Sequence, residues 1–142
     1  MAKKIMSRQG VNKMRTTPKR DFVALMKIHN FAFFWLNMYK FHKKVFFYNY
    51  QDGEYLGDAL ASLGFEMDSG RLYCERFGET HLPDLDELKQ HLPEMDIQLL
   101  GNLIFSQWRR WNHWSDYECM KEEDFQWFVI AFERLDELAN AR

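Results

Sequence analysis

Apolar residues along this chain recur mostly at three- and four-residue spacings, the period that places side chains on one face of a helix. The widest such pattern runs from Leu99 to Trp114. Leu100, Ile104, Trp108 and Trp111 form one stripe, and Leu103, Gln107, Trp111 and Trp114 an adjoining one. The spacing predicts a helix from Ile97 to about Trp114, capped by Asp96, with Gly101 early in it where backbones can approach closely. A stripe this wide and aromatic has to be buried against something. Phe125, Phe128, Val129, Phe132, Leu135 and Leu138 repeat the period in a final helix, which Lys121 to Asp124 leads into and which ends near Ala139. Trp127 and Ile130 lie on its flank. The two helices are expected to pack as an antiparallel pair, with Trp108 and Trp111 facing Phe125, Phe128 and Phe132.

The first half is less regular. Thr17-Pro18 opens a helix from about Lys19 to Lys44, since proline suits a first turn, with a break near His29-Asn30 as one option. Its segment Phe31 to Leu36 is apolar all round, which predicts burial on most sides or a partner surface such as a homodimer seam. Val45 to Tyr50 is β-branched and aromatic and reads as a short strand, ended by a turn at Gln51-Asp52-Gly53. Glu54 to Leu63 suits a short helix with Gly64 as its C-terminal cap. Phe65 to Phe77 alternates around Asp68-Ser69-Gly70 as a small hairpin, and Gly78 to Pro83 is a loop. Asp84 then opens a helix with acids in its first turn that stops at Leu92-Pro93. The expected fold is a mostly α domain of about five helices over residues 18–142, with one short β-hairpin and α+β as the alternative.

Charge divides the chain. Lys3, Lys4, Arg8, Lys13, Arg15, Lys19 and Arg20 stand among residues 1–20 without one acid, and residues 1–17 read as a flexible basic tail. Setting those seven aside leaves 12 basic against 21 acidic residues, a body charge of −9. The longest apolar run, Ile28 to Tyr39, falls short of the ~20 residues a membrane span needs, so no membrane partner is expected. Cys74 and Cys119 have no metal-type spacing and suggest no disulfide framework. A cytoplasmic location follows from these readings.

Three surfaces carry the candidate chemistry. Arg109, Arg110, His113 and Trp114 form a candidate binding edge, since Trp and Arg are enriched at interface hot spots and stack on bases. Asp84, Asp86 and Glu87, with Glu122, Glu123 and Asp124, form a candidate acidic patch that matches the basic cleft of a nucleic-acid-handling protein. The basic arm is the candidate phosphate contact. Two further groupings, His81 with Asp84 and Asp86 and His113 with Asp116 and Cys119, are the only footing for an enzyme with a His/Cys or His/acid site. Neither has a recognised spacing, and HExxH, GxSxG, P-loop and GxGxxG are all missing. No catalytic, cofactor or metal residue is assigned.

Two segments, Ile104 to Trp114 with an IFSxWRxxxHW pattern and Trp127 to Leu135 with a WFxxAFxRL pattern, resemble small proteins of gut-type bacteria and their mobile elements. The similarity covers residues 84–138. That group has no assigned activity, so the resemblance implies architecture alone. The expected function is non-enzymatic binding through protein–protein contact, in the manner of a phage or mobile-element accessory or inhibitory factor. A nucleic-acid-binding accessory protein, using the arm and the Trp/Arg helix, is the alternative.

Overall fold

A helix of 25 residues, α1 (Pro18–His42), opens the computed structural model, which describes residues 18–42, 50–65, 70–112 and 119–140. It runs unbroken through His29 and Asn30. His29 is anchored in passing: its Nδ1 pairs with Asp136 and its ring stacks on Phe33 at 5.7 Å. Ala24, Ile28, Phe31, Ala32 and Trp35 make its inner stripe.

Helix α2 (Tyr50–Ser62) begins earlier than its pattern predicts. Gln51-Asp52-Gly53 continues the helix where a turn was expected, and Tyr50 is helical where the strand was expected. Residues 45–49, the rest of that strand, lie outside the described residues, as do 43 and 44. Turn propensity is a weak local preference, and it yields here to the burial of Leu56, Ala59, Leu60 and Leu63 on one face. Gly64 closes the helix as expected, at φ 89°, donating its N–H to Ala61 O while Phe65 N–H reaches Leu60 O.

Of the hairpin expected over Phe65 to Phe77, residues 66–69 lie outside the described residues, and the rest forms no hairpin. Its second half is a helix, α3 (Arg71–Phe77), flanked by Gly70 and Gly78, both left-handed. Tyr73 and Phe77, four apart, face the same way with ring centroids 5.1 Å apart, and His91 stacks on Phe77 at 4.2 Å. That i, i+4 aromatic pair outweighs the faint alternation. Among the described residues there is no strand, and the protein is mostly α-helical.

Helix α4 (Leu85–His91) starts as its acids predict. Asp84 accepts the Glu87 N–H and Glu87 accepts the Asp84 N–H, a reciprocal capping box. A 3-10 turn at Leu92–Glu94 follows. Asp96 caps α5 (Ile97–Asn112) by accepting the Leu99 N–H at 2.9 Å. Helix α6 (Glu122–Asn140) completes the order.

The four longer helices close a ring: α1 lies against α2 and α6, and α5 against α2 and α6. The small helices sit outside it, α3 on α5 and α4 on α6. The expected α5–α6 contact is present, but α6 meets α1 more extensively. Trp108, fully buried, is the hub, with Phe31, Trp35, Phe128 and Phe132 around it at centroid distances of 4.8–6.4 Å. Trp111, expected beside it in the core, is only half-buried. Of the described residues, no helix is long and apolar enough to cross a membrane.

Candidate functional site

The start of α4, the last turn of α5 and the first turn of α6 converge on a cleft of about 410 Å³, within the size range of small-ligand and side-chain pockets. One buried hydrogen bond sets this convergence. The Trp127 indole N–H donates to the Pro83 carbonyl at 3.1 Å, fastening the approach to α4 onto α6. A second restraint is steric. Gly70, at φ +86°, lies so close under Leu82 that a Cβ there would meet Leu82 Cδ2 at 2.4 Å.

The cleft unites groups that are far apart in sequence. Arg110 comes from the candidate binding edge, and Asp84, Glu123 and Asp124 from the two halves of the acidic patch. The Arg110 guanidinium sits 4.8 Å over the Trp111 ring and reaches the buried Gln107 Oε1 at 3.5 Å. Arg109 is exposed and turns instead to Phe105, 5.7 Å away. His113 and Trp114, the rest of that edge, lie outside the described residues. So do Lys3, Lys4, Arg8, Lys13 and Arg15 of the basic arm, while Lys19 and Arg20 belong to the first turn of α1.

Several acids have structural tasks. Asp84 and Glu87 form the capping box, and Asp124 accepts the Lys121 N–H at 2.8 Å. Glu122 accepts from the Tyr39 hydroxyl at 2.8 Å and from Gln126 at 3.0 Å, joining α1 to α6. That hydrogen bond to Glu122 is the main reason the Tyr39 hydroxyl titrates higher than an ordinary phenol. Asp86 and Glu123 are exposed.

His81, at the cleft edge, pairs with Glu87 at 3.1 Å and not with the sequence-adjacent Asp84 or Asp86. The Asp84 N–H first, and then His81, hold the Glu87 carboxyl below the usual range. Glu79 completes a trio in which one donor atom from each residue lies within 4.8 Å of the others. Sequence reasoning missed Glu79, although its i, i+2 spacing to His81 was available. Cys74 and Cys119 are free thiols, and Cys74 Sγ donates to the His81 carbonyl at 3.8 Å.

A different surface lies opposite the core side of α1. Phe22, Phe33, Phe34 and Phe41 are 63%, 53%, 53% and 71% exposed, and Val23 and Met26 lie exposed among them. Sequence reasoning identified Phe31 to Leu36 as apolar all round; the exposed face extends it to both ends of the helix. In comparison with known proteins, no family model, curated protein or solved structure matches the chain.

Proposed function

We propose that this protein works without catalysis, by contact with a protein partner, and that the outer face of α1 is the contact. The single observation that carries this reading is the row of half-exposed or more exposed phenylalanines from Phe22 to Phe41. Four such rings leave about 400–500 Å² of aromatic surface in water. A patch of that size matches the largest apolar patch of a typical monomer, which is often functional. Its occupant is a partner presenting an apolar groove with an acidic rim, because Lys27 and Lys40 are exposed beside the phenylalanines and Lys40 leans over Phe41 at 5.7 Å. In an isologous pair of copies the same lysines would return in the facing helix, which favours a different partner over a second copy. An accessory or inhibitory role is the form we propose for that complex.

The test places a photo-crosslinking residue at Phe34 in cells and then reconstitutes the captured pair from purified proteins. The expected result is a heterologous adduct whose affinity falls at least tenfold in Phe33→Ser/Phe34→Ser and weakens as salt rises. Adducts only between copies of this chain, or an affinity indifferent to the double substitution, would overturn the reading.

A further inference from the structure

We propose that Glu79, His81 and Glu87 form a binding site for a single Zn²⁺-type divalent cation, built on the loop between α3 and α4 and on the first turn of α4. One imidazole and two carboxylates are a ligand set of intermediate softness, which suits zinc over calcium or magnesium. The geometry is close to what zinc requires. With bonds of about 2.0–2.1 Å, neighbouring ligands of a tetrahedral ion stand about 3.3 Å apart. His81 Nε2 already lies 3.1 and 3.3 Å from the two oxygens of Glu87. Glu79 offers its oxygen within 4.8 Å of both, so a small rotation of one side chain completes three corners and leaves the fourth to water.

The surroundings orient these ligands as outer partners do in metal sites. Glu87 Oε1 accepts the Asp84 N–H at 3.0 Å, which sets the carboxylate and leaves Oε2 facing the imidazole. The His81 backbone is held by the Cys74 thiol. A second observation is a buried polar group without a partner. Tyr73, 1% exposed, has a buried hydroxyl with no hydrogen-bond partner. Burial first, and then the negative charges of Glu87 and Glu79, push its pKa up to about 12. A cation between these two carboxylates would offset the charge that bears on the phenol. The site uses no residue of α1, so it stands or falls separately from the contact face.

Calorimetric titration of Zn²⁺ into the metal-stripped full-length protein tests the assignment. The expected outcome is one equivalent bound at micromolar or tighter affinity, weakened at least tenfold in His81→Gln and in Glu79→Gln, and unchanged in Cys119→Ser. His81 faces solvent and Glu79 is half-buried, and circular dichroism verifies that both variants stay folded. Co²⁺ in place of Zn²⁺ is expected to give weak visible bands without thiolate charge transfer. Absence of binding, binding that survives His81→Gln, a thiolate band, or Ca²⁺ binding as tight as Zn²⁺ would each overturn the proposal.

Discussion

Trp108 touches three helices at once through one side chain: its own α5, α1 through Phe31 and Trp35, and α6 through Phe128 and Phe132. Removing a buried indole costs the transfer energy of the ring and leaves a cavity that three helix backbones cannot jointly close. Trp108→Ala is therefore expected to destabilise the protein by about 3–5 kcal/mol, a large share of the ~5–15 kcal/mol typical of a domain. Urea denaturation of the variant beside the parent chain measures this. Trp108 was legible in the sequence because it sits at the centre of two overlapping stripes. Trp127 was not. Its stripe position put it on the flank of α6, and it is buried because its N–H finds Pro83, 44 positions away, a partner that no local period encodes. The same limit applied to His81, whose partner Glu87 was passed over for acids nearer in sequence.

Among the elements, α4, α5 and α6 were readable because caps and stripes agreed: Asp84, Asp96 and the acids at 122–124 each stand where a helix begins. The start of α2 and the whole of α3 were misread where a local signal and a tertiary one conflicted. Asp52-Gly53 and Asp68-Ser69-Gly70 carry turn chemistry, and in α2 the apolar face overrode it. Helix α1 shows why an apolar pattern alone underdetermines burial. Phe31 and Trp35 point inward while Phe33 and Phe34 point outward, and composition makes no distinction between them. Close packing between elements is testable at Gly101, where a Cβ would meet Leu60 Cδ1 at 2.6 Å and Cδ2 at 2.8 Å. Gly101→Ala gains about 1 kcal/mol of helix propensity and forces a buried leucine to move, at about 1–3 kcal/mol. The expected net is a loss of about 1 kcal/mol, visible as a lower Tm; a raised Tm would show that α2 and α5 have slack between them.

For the molecule as a whole, the ring of α1, α2, α5 and α6 is closed partly by polar ties at the α1–α6 seam. Tyr39 bonds to Glu122 and Gln126 near one end, and His29 and Asn140 meet Asp136 near the other. Tyr39, through its hydrogen bond to Glu122, and Tyr73, through burial and the charges of Glu87 and Glu79, both titrate above the ordinary 10.0. A raised pKa in the fold means that the neutral phenol is favoured there. For Tyr73 that contribution is complete below pH 10 and is lost as pH climbs toward about 12. Thermal melts are thus expected to hold steady up to about pH 10 and to drop above it, less steeply in Tyr73→Phe; a flat profile would contradict both assignments. The cleft also gives the molecule an optical property. Trp35, Trp108 and Trp127 are sealed from water, whereas Trp111, under the Arg110 guanidinium, is the half-open indole among the described residues. A ligand that seats against Arg110 and Trp111 therefore writes its arrival into the protein's own fluorescence, read without a label and against Trp35 and Trp108, buried indoles that do not line the cleft.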